Sequence, residues 1–221
     1  MNLVVKQFRA AVEEPPEVVL THPVVRIQAR FGSTWAAWGS GFLIGQWPSS
    51  IITARHVVAL PQVVAPADVR VEAHFDGAWS SIDVTAVAYP ANAPGSADVA
   101  IVRIQAACVS GLQAATMDGP TPAEVWGYPL QVRRSVTNPL RVGCRAKPGY
   151  GQITLDRPGQ PGMSGGPVVA VADGAQASAV VGIYLGLTSR GARAQPLIDD
   201  TLFACKDAAM NIMISPVETN S

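Results

Sequence analysis

A serine hydroxyl becomes a nucleophile only with a base beside it and a third group that holds the base in place. One serine in this 221-residue sequence has a setting that suits such a role. Residues 157 to 170 read RPGQPGMSGGPVVA, with four glycines and three prolines crowded around Ser164 ahead of an apolar run. A connecting loop would be more polar, and a plain strand would not carry Gly162, Gly165, Gly166 and Pro167. Of the three histidines, His56 follows IITA directly, where a buried strand ends and the chain turns. His22 precedes Pro23 at the start of a strand and His74 sits in an alternating strand, so both read as ordinary strand residues. The carboxylate is Asp98, directly before the apolar run VAIVRI. An acid there is costly unless something pairs with it. Asp83 in SSIDVTAV is the weaker rival, because strand alternation turns it to solvent. Taken singly, the three residues have plain readings: a helix-start histidine, a turn cap and loop punctuation. Taken together, His56, Asp98 and Ser164 offer a base, the acid that orients it and a nucleophile.

The elements that must position them are β-strands. Short runs rich in Val, Ile and aromatic residues, separated by Gly, Pro, Asn and Asp, recur along the chain: VVRIQARF, WAAWGSGFLIG, SIITA, VRVEAHF, WSSIDVTAVAY and DVAIVRI. Such spacing predicts an all-β barrel or sandwich. The pattern lapses in QAACVSGLQAATMDGPT and returns in AEVWGYP, LRVGCRA, GQITLD, PVVAVA, AVVGIYLGL and ARAQPLI. Two sets of about six strands predict two β units with a cleft between them, His56 and Asp98 in the first and Ser164 in the second. The boundaries are 21–107 for the first unit, 108–121 for the linker and 122–198 for the second. Val4, Val5, Phe8, Ala11 and Val12 recur at helical intervals, which predicts a short amphipathic helix within residues 1–20. DDTLFACKDAAM predicts a second helix, capped by Asp199 or Asp200, within residues 199–221.

Composition narrows the partners. Sixteen basic and sixteen acidic residues cancel, and no Lys/Arg cluster stands out, which argues against nucleic acid and against a membrane surface. Three cysteines, Cys108, Cys144 and Cys205, form neither an even disulfide set nor a metal-ligand spacing. No metal and no cofactor is expected. With no signal-type leader in MNLVVKQFRAAVEE, the cysteines point to the cytoplasm.

The sequence resembles the chymotrypsin-like, or trypsin-fold, serine proteases, and in style the compact bacterial branch that includes the Deg-type protease domains. The matching pieces are GSGFLI at 39 to 44, ITARH at 52 to 56, ADVAIVRI at 97 to 104, WGYP at 126 to 129, GMSGGPVV at 162 to 169 and VVGI at 180 to 183. The resemblance implies two six-stranded antiparallel Greek-key β-barrels with the active site in the cleft between them. It implies that Ser164 attacks the scissile carbonyl, that His56 relays the proton, and that Asp98 fixes the imidazole. It further implies an oxyanion hole at Gly162, Met163 and Ser164, with the N–H groups of Gly162 and Ser164 as donors. The primary substrate pocket is then walled by Pro158 and Gly159 on one side and by Leu185, Gly186 and Leu187 on the other. No acid falls where it would select Arg or Lys, and a small or medium apolar side chain is expected. The substrate is a protein or peptide, bound as an extended strand.

Two departures from the family bear on mechanism. Met163 stands where digestive members carry an Asp that pairs with a newly cut chain end, so activation by that cut is not expected. Arg55 precedes His56 where a small residue is usual, and on a tight turn it is expected to point to solvent. Two other readings compete with an active enzyme. One is a latent protease whose loop assembles when an activating partner docks. The other is a pseudoprotease that only binds peptides in the same cleft.

Overall fold

Alternating Val and Ile residues fix which face of each strand is buried, and the chain folds around those faces. The structure is a computed structural model that describes residues 18–31, 33–45, 47–58, 66–75, 78–89, 98–108, 110–130, 137–171, 179–189 and 191–197. The first unit contains β1 (Val18–Leu20), β2 (Val24–Phe31), β3 (Thr34–Leu43) and β4 (Ser50–Thr53), then one helical turn, α1 (Arg55–Val58). It continues with β5 (Val69–Phe75), β6 (Ala78–Ile82), β7 (Val84–Ala88) and β8 (Ala100–Ile104). Two short strands follow, β9 (Ala106–Cys108) and β10 (Gln113–Ala114). The second unit is built from β11 (Thr121–Gly127), β12 (Leu140–Pro148), β13 (Ile153–Leu155), β14 (Pro167–Ala170), β15 (Ala179–Thr188) and β16 (Gly191–Pro196).

The second unit closes on itself. Its six strands pair antiparallel in the order β11-β12-β13-β16-β15-β14, and β14 returns to β11. The first unit is an open half-barrel, with strand order β6-β5-β2-β3-β4-β8-β7. Its two edge strands, β6 and β7, meet in sequence at Asp83. The run 79–89 reads as one strand in the sequence, but it breaks there into β6, which pairs with β5, and β7, which pairs with β8. The architecture agrees with the two-barrel fold that the resemblance implies. The linker stretch adds strands to each side: β9 pairs parallel with β1, and β10 pairs parallel with β15. The helices expected within 1–20 and 199–221 lie outside the described residues, apart from Val18–Leu20, which forms β1.

The halves are joined by packing. Trp126, Tyr128, Val169, Val180, Ile183 and Leu197 of the second unit belong to one apolar cluster with Phe42, Ile51, Ile52, Val57 and Ile101 of the first. A separate, smaller cluster fills the closed barrel, with Val125, Ile153, Met163, Val168, Val181 and Tyr184. At the seam, the guanidinium of Arg26 lies 4.6 Å from the Trp79 ring centre and 5.7 Å from that of Tyr128. It also pairs with Glu72 at 3.5 Å. Stacking between rings explains why its Nε and Nη2 lack hydrogen-bond acceptors among the described residues. Burial raises the Tyr128 hydroxyl far above its ordinary pKa, although Arg26 opposes this, so that ring stays neutral beside the cation.

Candidate active site

Strand pairing brings the histidine and the aspartate together. β4 is buried throughout and pairs antiparallel with β8, with Thr53 opposite Ala100. The same register, carried two residues further, sets Asp98 against the start of α1. Its Oδ1 accepts the backbone N–H of His56 at 2.9 Å, and its Oδ2 lies 2.5 Å from the ring Nδ1. Partial burial pushes the Asp98 carboxyl up. The hydrogen bond and charge of His56, with the N–H groups of His56 and Arg55, outweigh that, and the pKa falls below its ordinary value. A bond from Nδ1–H to Oδ2 leaves Nε2 as the free, proton-accepting nitrogen. The imidazole is 45% exposed, open to a substrate.

The serine loop is fastened to the same place from the other barrel. The Ser164 carbonyl accepts the N–H of Ser40 at 2.7 Å. Ser40 is wholly buried on β3. Its hydroxyl donates to the Gly162 carbonyl at 3.0 Å and accepts the N–H of Tyr128 at 2.9 Å, while its own carbonyl accepts the Thr53 hydroxyl at 2.8 Å. Gly165, at φ 84°, turns so tightly here that a side chain would overlap the Ser40 carbonyl and the Thr53 hydroxyl. Only glycine fits that backbone. A Cβ on Gly39 would likewise meet the Ser164 carbonyl at 2.6 Å and Val57, next to His56, at 2.7 Å. The loop that carries the hydroxyl therefore touches the residues that flank the imidazole.

Two backbone donors of this loop are left over. Among the described residues, the N–H groups of Gly162 and Ser164 have no acceptor, whereas that of Met163 bonds to Gln160 at 3.0 Å. Unpaired N–H groups on a turn are what a developing oxyanion needs. Met163 is fully buried in the core of the closed barrel, and its sulfur accepts the N–H of Gln160 at 3.2 Å. The loop is thus braced from within. From the far side Leu130 donates its N–H to the Pro161 carbonyl at 2.9 Å.

Of the remaining sequence candidates, one lies beside the serine. Gly186, at φ 107°, would put a Cβ 3.3 Å from Ser164 Oγ. Leu185 is half-buried, packed against the seam cluster, and Leu187 is 68% exposed. Pro158 is exposed, and Gly159 lies against Tyr184. The Arg55 guanidinium is exposed and sits 5.0 Å from the Tyr89 ring centre. Asp83 is exposed, as alternation predicts. His22 Nδ1 accepts the N–H of Val24 at 3.1 Å, and His74 meets Trp79 edge-on at 5.8 Å. Among the described residues, no three His, Cys, Asp or Glu side chains converge as metal ligands.

Sequence reasoning gave Ser40, Thr53 and Tyr184 no role. For Ser40 a signal existed: a serine between two glycines inside an apolar strand marks close backbone approach. For Tyr184 there was none. Val168 pairs with Gly182 and Val169 with Val180, which leaves Val181 as an extra residue. This bulge resets the alternation of β15. Val180 and Ile183 face the seam, while Val181 and Tyr184 face the closed barrel.

A family model described as a trypsin-like peptidase domain matches residues 39–183. The span takes in His56, Asp98 and Ser164. No curated protein matches the chain.

Proposed function

Because the chain belongs to the trypsin-like peptidase domain family, we propose that it is a serine endopeptidase with His56, Asp98 and Ser164 as its triad. Ser164 Oγ attacks the scissile carbonyl while His56 Nε2 takes the hydroxyl proton. The imidazolium so formed keeps its Nδ1–H bond to Asp98. The oxyanion is received by the N–H groups of Gly162 and Ser164. Collapse of this intermediate expels the amine, which leaves with the proton from Nε2, and an acyl-serine remains. Water then attacks with His56 again as base, and the acid departs. The substrate lies as an extended strand along Leu185, Gly186 and Leu187, with Pro158 and Gly159 across from them, and its acyl residue is small to medium and apolar.

One observation supports this reading: Asp98 orients the His56 ring, and the Ser164 carbonyl is bonded to Ser40 on β3, where a Cβ on the neighbouring Gly39 would meet both that carbonyl and Val57, next to His56. Units 21–107 and 122–198, with linker 108–121, act as one peptidase domain. The internal Met163 brace supports a loop ready without a partner over a latent one. Cys108 and Cys144 are free thiols, in keeping with a cytoplasmic home.

A fluorophosphonate probe tests the proposal. We expect labelling at Ser164, lost in Ser164→Ala, together with cleavage of a denatured protein substrate by the wild type alone. A chain that binds peptides yet takes no label at any pH would instead be a pseudoprotease.

A further inference from the structure

Next to Ser164 a single ring stands between two segments of the chain. On the endopeptidase reading, the side chain of the acyl residue enters between the segment running up to the serine, Pro158 to Pro161, and the end of β15, Leu185 to Leu187. Tyr184 lies between these walls. A Cβ on Gly159 would stand 3.0 Å from Tyr184 Cε1, 3.2 Å from its Cζ and 3.3 Å from Val125 Cγ1. The ring therefore reaches from its own wall to the opposite one, and its hydroxyl points at the Gly159 carbonyl, 3.5 Å away.

The ring has no way to withdraw. The N–H of Tyr184 donates to the Gly166 carbonyl at 2.8 Å, and the Tyr184 carbonyl accepts the N–H of Gly165 at 2.7 Å. Those two bonds pin its backbone to the serine turn itself. Behind it, Val125, Ile153, Met163 and Val168 fill the closed barrel. Interiors at this density do not yield room for a second large side chain. The Val181 bulge makes the arrangement possible, because it turns Tyr184 to this face of β15.

We propose that Tyr184 is the specificity-determining residue, closing the primary pocket so that, of the small to medium apolar residues, only Gly or Ala is accepted as the acyl residue. Leu, Phe, Lys and Arg are excluded by volume. This deepens the endopeptidase assignment and rests on it.

The test uses the full chain. Wild-type protein is incubated with a proteome-derived peptide library, and the acyl residues of the cleaved bonds are read by mass spectrometry. Small residues should dominate. In the best peptide, Ala should exceed Leu in kcat/KM by about a hundredfold or more, since each misfitting methylene costs roughly 10- to 200-fold. Tyr184→Val should raise the Leu-to-Ala ratio at least about tenfold, while Tyr184→Phe, which keeps the ring, retains the wild-type ranking. Should Tyr184→Val not fold, wild-type inactivation by Ala and Phe peptide phosphonates decides, with the Ala reagent expected to react far faster. Cleavage with no size preference, equal phosphonate rates, or an unmoved ratio in a folded Tyr184→Val overturns the pocket alone. No cleavage and no fluorophosphonate label at Ser164 overturns the endopeptidase reading with it.

Discussion

Ser40→Ala removes one hydroxyl from a site that no substrate touches, yet it should weaken both the fold and turnover. The Ser40 hydroxyl is the acceptor for the buried N–H of Tyr128 and the donor to the Gly162 carbonyl. Orphaning a buried N–H costs about 1–3 kcal/mol, and losing a hydrogen bond to a carbonyl costs about 1 kcal/mol more. The sum, about 2–4 kcal/mol, should move the urea midpoint by roughly 1 M at a slope of about 3 kcal/mol per M. Tryptophan fluorescence reads it, since Trp126 is buried beside the affected strand. Catalysis should fall for a different reason. The Gly162 carbonyl belongs to the peptide that leads into Met163, so releasing it loosens the turn that aims the two donors. Both donors survive, so the loss in kcat should stay below the hundredfold to thousandfold of deleting one, at about tenfold. Peptide hydrolysis well below the unfolding midpoint measures that loss. An unchanged midpoint would refute the claim that Ser40 is a strut. A lowered midpoint with unchanged kcat would refute its link to the oxyanion site.

Asp98→Asn should leave the fold intact and lower kcat about ten-thousandfold, the loss typical of this change in Ser-His-Asp triads, because the imidazole is no longer held in the working tautomer. Hydrolysis rates beside a circular dichroism spectrum check this, and near-normal turnover would mean that another group orients His56. The depressed Asp98 pKa also predicts an acid limb. A carboxyl whose folded pKa lies below its unfolded one, near 3.9, stabilises the protein fully above that value and loses the contribution as pH falls through the folded pKa. The difference in urea midpoint between wild type and Asp98→Asn should therefore shrink from about pH 4 downward, and a difference that ignores pH would refute the attribution.

The strands and the His56–Asp98 pair were legible because each leaves a local mark. Buried strands of β4 and β8 type read as unbroken Val and Ile runs, and an acid directly before such a run asks for a partner. The glycines around Ser164 announce a turn whose backbone must come close to something. What stayed hidden depends on contacts through space or on one-residue slips. The break at Asp83 is a bend within a run whose alternation reads as continuous. The Val181 bulge flips the facing of Tyr184, and no composition rule registers one extra residue in a ladder. Ser40 carried a visible sign in its flanking glycines, but its partners, Gly162 and Tyr128, belong to the other half of the molecule. Arg55 is exposed as expected, but its partner ring, Tyr89 just past β7, left no mark in the sequence.

The division of the site between the two units has a consequence for a chain still being made. An imidazole and its carboxylate can be complete in the first half while the ribosome is still supplying the second. On the endopeptidase reading they have no hydroxyl to activate until Ser164 is made and its carbonyl bonds to Ser40 on β3. A half-made chain, on that reading, cannot cleave anything, because its base and its nucleophile come from different halves.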